Sequence, residues 1–386
     1  MSGSLYDVII IGGGPAGCAT AIALHQLGIT KVLVVEGSDY SRERIGESIP
    51  PDTRGLFSRL GLWQVFEQQN HQRCLGSYSS WGSDDLGFND FLFNPRGHGW
   101  HLDRLSFDRF MADEVRLRGI DFLSGVRFHQ LNRDRQQQVT NIALTGSQSG
   151  EKQQQSCRFV VDASGRSASL ARCIGARFKT QDNLLCVAGF FHRQELATDL
   201  ALQHMTLLEA VEHGWWYSAH LPGDRIIAAF ASDSEIILQH RLKQPEHWCR
   251  ALAQTRHLGP ALSPAKLPLS LHTWVAPSAL LNPPAAEGWL AVGDAASCYD
   301  PISSQGIYKA LLGGLNAAPA IAAWLQGDSR PLMDYRQSVG EAFINYLAQR
   351  AYFYQREQRW MQAAFWRKRH LASGIYQGEA ATAVHE

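Results

Sequence analysis

The stretch Val8-Ile9-Ile10-Ile11-Gly12-Gly13-Gly14-Pro15-Ala16-Gly17 decides the fold, read together with Val32-Leu33-Val34-Val35-Glu36. Val8 to Ile11 is a short β-branched run, the pattern of a buried parallel strand. A glycine turn follows at once. Ala19 to Leu27 then has helical spacing, and Gly28 stops it. Strand, glycine turn, helix, strand and acid thus fall within the length of one βαβ unit. Each residue type has a physical task. Gly12 turns the chain sharply off the strand. Gly14, followed by Pro15 and Ala16, leaves backbone N–H groups open to a pyrophosphate. Gly17 lets the helix lie close to the strand. The helix N-terminus offers the anion a partial positive charge. Glu36, followed by Gly37, is placed to accept hydrogen bonds from ribose hydroxyls. An acid here repels a 2′-phosphate, which favours FAD or NAD over NADP.

Composition narrows the field. With 386 residues the chain has room for two or three domains. Lys+Arg and Asp+Glu are both 36, so no global field draws the protein to nucleic acid or acidic lipid. No apolar run approaches membrane-spanning length, and the start of the chain lacks a basic segment followed by an apolar one. The seven cysteines are scattered, with no CxxC pair and no zinc spacing. A cytoplasmic protein with reduced thiols and no metal is the expectation.

The rest of the chain is read around that nucleus. Arg42 to Pro51 is a charged loop closed by two prolines; Arg44 reaches back to phosphate or ribose, or is a solvated surface arginine. Asp52 to Phe66 reads as one helix capped by Asp52 or Thr53. Residues 70–100 are rich in glycine, serine and aromatics, as at the edge of a binding cavity. A helix opens near Asp103-Arg104 and ends at Gly119. Ile120 to Thr145 reads as strands, with solvated turns at Gln136 to Gln138 and Gly146 to Gln155. Phe159-Val160-Val161 is another buried strand, ending in Asp162-Ala163-Ser164-Gly165; Asp162 either touches a dinucleotide or caps a helix. Leu184 to Phe191, Met205 to Val211, Trp215 to Leu221 and Ile226 to Ser232 read as a second sheet, with a hairpin turn at Gly223-Asp224. Gln244 to Leu258 is predicted helical. Trp289 to Val292 returns to the first domain and turns at Gly293-Asp294. The tight loop Asp300-Pro301-Ile302-Ser303-Ser304-Gln305-Gly306, then Ile307, leads into a helix over Tyr308 to Leu325. Met333 to His370 is mostly helical, aromatic and basic: a terminal helical pair, or a docking face for another protein. Leu371 to Glu386 reads as a frayed tail.

Four elements in this order, Gly12 to Gly17 with Glu36, Asp103-Arg104, Asp162 with Gly165, and Gly293-Asp294, resemble the FAD monooxygenases of the p-hydroxybenzoate hydroxylase fold. The resemblance implies an α/β protein: a Rossmann-type FAD-binding domain (1–75, 101–180 and 280–332), an inserted, mostly antiparallel substrate sheet (76–100 and 181–279), and a C-terminal helical segment (333–386). It implies that Gly12 to Gly17, Glu36, Gly37, Arg44, Ser48, Arg104, Asp162, Gly293, Asp294, Gln305, Gly306 and Ile307 bind FAD. Pro301, Ser303, Ser304, Gln305 and Gly306 would line the flavin ring.

Gly46-Glu47-Ser48-Ile49-Pro50, Gly214-Trp215-Trp216-Tyr217-Ser218 and Asp300 to Gly306 are similar to stretches of the tryptophan halogenases and their relatives. Those enzymes need a lysine, where alignment places Ser77 ahead of Tyr78 and Trp81, and a glutamate, where this chain has Ser303. Without the pair, halogenation is disfavoured. The last two motifs also look like the flavoproteins that mature tryptophylquinone enzymes. That resemblance implies a quinoprotein precursor, such as a glycine or lysine oxidase, as partner, with cysteine tryptophylquinone as the end product. O₂ would be reduced with electrons from an unidentified external donor, and the activated oxygen would attack an electron-rich ring such as indole. Trp81, Trp216, Tyr217 and His272 are candidate cavity walls, or core. No general base is readable. A geranylgeranyl-reductase-like dehydrogenase, a hydroxylase of a free aromatic, and a non-enzymatic flavoprotein chaperone stay open as alternatives.

Overall fold

The protein is described from a computed structural model covering residues 5–41, 44–91, 93–134, 139–192, 204–262, 268 and 271–371. Arg42, Glu43, the expected turn at Gln136 to Gln138 and the tail beyond Leu371 lie outside the described residues.

Its centre is a parallel sheet. The strand Leu5–Ile11 runs parallel to Val32–Glu36 on one side and to Lys152–Asp162 on the other. Asp121–Ser124 and Trp289–Ala291 extend the sheet in parallel at the two sides. Val8, Ile9 and Ile10 are fully buried because helices and strands cover both faces. The helix Pro15–Gln26 leaves the first strand through Gly12, whose φ of +115° suits glycine alone. A Cβ on Gly17 would stand 1.9 Å from the Gly12 carbonyl oxygen, so helix and turn approach as only glycine permits. The helix Gly306–Leu325 packs across Pro15–Gln26 just as tightly: a Cβ on Gly314 would stand 2.7 Å from the Thr20 amide nitrogen.

The second sheet has seven strands. Leu184–His192, Met205–Val211, Gly214–Leu221, Arg225–Asp233 and Leu271–Val275 are joined at one edge by Gly76–Ser80 and Gly87–Asp90. Its register sorts the aromatic residues. Trp274, Cys186, Ala231 and Trp215 are successive cross-strand neighbours, so they form one row on one face. Tyr217 sits two residues along on the same face, opposite Ala229. Trp216 points the other way, into a buried cluster with Phe230 and Trp248.

Two expected helices are interrupted. Asp52 to Phe66 is Thr53–Arg59 followed by Trp63–Glu67, because Gly61 (φ +69°) breaks the turn. Neither candidate cap acts as one: the Asp52 carboxylate pairs with Arg96, and no side-chain cap bond closes the helix. Gln244 to Leu258 holds the helix Pro245–Ala253, which ends before Leu258–Leu262 begins.

The C-terminal helix Arg330–Gln355 and the helical residues 364–371 close the molecule. The Tyr335 hydroxyl donates to the Ala291 carbonyl, and Phe365 and Trp366 are fully buried against Tyr354 and Trp215. Arg369 pairs with the buried Asp233, and Arg359 with Glu357 and Asp84. Most of the aromatic and basic residues here therefore hold the fold, although Tyr352 and Phe353 stay exposed. Among the described residues, no helix is long and apolar enough to cross a membrane.

Candidate active site

One cavity of about 860 Å³ runs from the glycine turn to the seven-stranded sheet. That is near the upper end of the roughly 300–1,000 Å³ usual for small-molecule sites, as a dinucleotide requires.

At the first end the wall is backbone. Gly12, Gly14, Pro15, Ala16, Glu36, Gly37, Arg44, Ser164 and Gly165 line it. Gly14 is the N-cap of the helix Pro15–Gln26, makes no side-chain cap, and would point a Cβ into open space. The first N–H groups of that helix therefore face the cavity without a protein acceptor. Glu36 is held by the Gly13 and Ser38 N–H groups, each at 2.8 Å. Arg44 bridges Asp108 at 2.9 Å and approaches Glu36 at 3.8 Å, so it is a wall residue rather than a solvated one. Arg104 grips Asp108 and the carbonyls of Ile45 and Gly46, shaping the loop that carries Glu47 and Ser48.

Further along, Asp294, Pro301, Ser304, Gln305, Gly306 and Ile307 line the middle. Ser304 takes a left-handed φ of +48°, which turns the loop into the helix Gly306–Leu325. That helix also begins without a side-chain cap or an acidic first turn, so a second set of free N–H groups opens on the same cavity. Burial alone would push the Asp294 carboxyl up, but Lys309 at 2.9 Å and Arg166 at 3.3 Å outweigh it and hold it below the usual range. The loop is anchored from outside. Buried Asp300 accepts from the Tyr354 hydroxyl at 2.8 Å, and Arg350 bridges it (3.6 Å) to Asp182 (2.9 Å).

Four expected residues do not reach the cavity. The buried Asp162 carboxylate accepts from the Ser164 N–H and Oγ and from the Ala171 N–H, so it caps its own turn. Ser303 Oγ donates back to the Asp300 carbonyl. Gly17 and Gly293 lie behind the wall, where Gly293 makes room for Ala16. Among the suggested aromatic walls only Tyr217 lines the cavity. Trp216 faces the opposite side of its strand, Trp81 packs on Tyr354 and Trp366, and His272 stacks behind Trp274.

The far end is a shallow slot. Trp215, Tyr217 and Trp274 stand around a floor of Cys186, Ala229 and Ala231. Burial pushes the Cys186 thiol up to about 12, so it is an inert small residue. Between slot and glycine turn sits Glu47, buried, its carboxylate accepting the Gly46 N–H at 2.8 Å. Tyr217 shares a 2.7 Å bond with Ser48 Oγ and interacts electrostatically with Glu47. Burial raises the Glu47 carboxyl, against opposing contributions from Tyr217 and Arg104. Sequence reading passed over Glu47, because Tyr217 comes from a distant strand. Alternation along Gly214–Leu221 contained the signal for Trp215. No lysine is among the described residues lining the cavity, and no described cluster of three or more His, Cys, Asp or Glu is placed to hold a metal.

The family profile described as an FAD binding domain matches residues 5–349. The chain belongs to that family. The FAD-dependent oxidoreductase LodB of Marinomonas mediterranea, described as putative, is 30% identical over 379 residues, 96% of this chain and 98% of that protein. Among solved structures, CmlS, a flavin-dependent halogenase, superposes with a TM-score of 0.83 at 26% identity, over 95% of this chain and 68% of that one. QhpG, a peptidyl tryptophan dihydroxylase essential for tryptophylquinone cofactor biogenesis, shares the fold with a TM-score of 0.74 at 22% identity, over 95% and 79%. The protein is thus an FAD-dependent oxidoreductase of the flavin monooxygenase type. The cradle fits the cofactor: two uncapped helix N-termini and a glycine wall, all open to one cavity long enough for it.

Proposed function

We propose that the protein is a flavin-dependent monooxygenase that hydroxylates an aromatic ring, and that the ring is a tryptophan side chain of a partner protein during tryptophylquinone maturation. The observation that carries this reading is the slot at the second sheet. Its small-residue floor and aromatic rim suit one flat ring, and it adjoins the Pro301–Gly306 loop in the same cavity. The shared fold with QhpG is a second support. The absence of a lysine from the described lining weighs against halogenation, for which the similar halogenases use a lysine ammonium to direct the oxidant.

In this reading Gly12 to Ala16 hold the pyrophosphate on the uncapped N-terminus of Pro15–Gln26. Glu36 and Arg44 meet the adenosine end, and Asp294 meets the ribityl chain. The free N–H groups of Gly306 and Ile307 would stabilise negative charge developing on the bound cofactor. Bound flavin supplies the reducing equivalents that activate O₂. Trp215, Tyr217 and Trp274 orient the substrate ring, and the apolar sheet face excludes water.

The test is coexpression with a candidate quinoprotein precursor, followed by mass spectrometry of its tryptophans. A gain of oxygen, labelled when ¹⁸O₂ is supplied, is the expected result. Chlorine or bromine incorporation, or O₂-independent reduction of a double bond, would overturn it.

A further inference from the structure

Glu47, with Arg44 and Arg104, lines two chambers. One is the large cavity. The other is a small void of about 10 Å³ lined by Arg44, Glu47, Asp103, Arg104, Arg225 and neighbouring apolar residues. That is close to the room one water needs, and charged side chains surround it. We infer that Glu47 is the acid–base group of the active cavity, passing protons between the reaction chamber and solvent through this arginine-lined void, with Tyr217 and Ser48 extending the path toward the substrate slot. The inference deepens the oxygenase reading and rests on it for the identity of the ring.

Three observations meet at this residue. Its side chain is buried yet lines both chambers. Its carboxylate interacts electrostatically with Tyr217, whose hydroxyl is bonded to Ser48 and whose ring belongs to the rim of the slot. Its own backbone is pinned, since the Glu47 carbonyl accepts the Leu102 N–H at 2.8 Å and Arg104 holds the preceding carbonyls. The groups facing it are Tyr217, Arg44, Arg104, Arg225, Asp103 and, across the cavity, Cys186. Burial holds the carboxyl above its usual range, which keeps a transferable proton on it nearer to neutrality.

The proton accounting requires such a group. With a nicotinamide-class hydride donor, the reaction is Ar–H + O₂ + NAD(P)H + H⁺ → Ar–OH + H₂O + NAD(P)⁺. The hydride carries both electrons, O₂ is reduced, and the ring carbon is oxidised. One oxygen enters the C–O bond and the other leaves as water. The leaving oxygen must gain a proton, and the ring carbon must lose one. Glu47 as carboxyl donates the first, and as carboxylate accepts the second. The one proton drawn from solvent enters through the arginine-lined void.

The test uses the FAD-loaded protein without any aromatic substrate. Difference infrared spectroscopy across a pH titration should show a carboxyl C=O stretch that fades above the ordinary carboxylate range and that Glu47→Gln removes. Chemically reduced holoenzyme mixed with O₂ should then reoxidise to yield H₂O₂ with a rate that titrates above the ordinary carboxylate range. Glu47→Gln should flatten that profile and slow the reaction by about 10²-fold, while Glu47→Asp should restore a shifted titration. Retained flavin absorbance in both variants shows that the fold survives. Unchanged profiles, or wild-type and Glu47→Gln spectra with no band between them, would overturn the assignment; buried Asp162 and Asp300 contribute equally to both spectra. If the band and titration behave as expected but neither a tryptophan-bearing precursor nor free indole is hydroxylated, Glu47 keeps its role and the oxygenase reading fails.

Discussion

At the glycine turn the cavity wall is mostly main chain: Gly12, Gly14, Gly165 and Gly306 bring backbone to the surface, and two helices end there without caps. At the seven-stranded sheet the wall is side chain: Trp215, Tyr217 and Trp274 around Cys186, Ala229 and Ala231. The first end recognises charge through N–H groups that any sequence supplies, provided glycine keeps them open. The second recognises shape, through residues that only strand register brings together. One end can therefore serve many oxidoreductases, whereas the other must be particular to a substrate.

The comparison breaks most severely at Gly17. Gly17→Val would drive carbon into the Gly12 carbonyl, with no flexible atom to yield. Colourless protein and loss of a cooperative thermal transition are expected, checked by absorbance and calorimetry. Next comes Arg350, which holds Asp182 and Asp300 behind the Pro301–Gly306 loop. Arg350→Met leaves buried Asp300 and half-buried Asp182 without their shared cation and should destabilise by about 3 kcal/mol, measured by denaturant unfolding. Ala231→Leu sharpens the contrast. It fills the slot floor and should leave flavin absorbance intact while lowering turnover of an aromatic substrate roughly 10–200-fold, read in kcat/KM.

Glu47→Gln has the smallest effect on stability, and its sign follows from linkage. The folded carboxyl titrates above the unfolded one, so folding takes up a proton. The contribution of Glu47 is then fully present below the unfolded value near about 4.3 and is lost as pH rises through the folded value. The glutamine side chain of the variant does not titrate. Melting curves should therefore show the variant gaining on the wild type as pH rises above that unfolded value, with the difference fading in acid.

The sequence made the nucleotide end legible because its determinants are local. Gly12, Gly14, Gly17 and Glu36 sit within one βαβ unit, so spacing alone places them together. Asp162 was ambiguous for the same reason: a strand-end carboxylate suits a ligand or a cap, and Ser164 and Ala171 decide for the cap. The substrate end was legible only as strands. Which of Trp215, Trp216 and Tyr217 faces the cavity depends on pairing with Arg225–Asp233 and on what covers each face. Glu47 and Tyr217 meet across the fold, so nothing near either residue announced the other. The aromatic C-terminal segment allowed two readings, packed helices or a docking face, and its exposed Tyr352 and Phe353 leave room for both. Its arginines and tyrosines resemble a docking face, yet Tyr346, Arg350 and Tyr354 face inward and brace the loop at Asp300. Truncating near residue 335 would dismantle that brace together with any dock.

The two uncapped helices leave apoprotein with amides that meet only water. Cofactor binding would satisfy both sets at once, so occupancy and folding stability should be linked by mass action. Cells starved of riboflavin are thus expected to clear this chain faster than well-fed cells, a difference a pulse-chase experiment would reveal. Vitamin supply would then govern how much of the protein persists, quite apart from how fast each copy works.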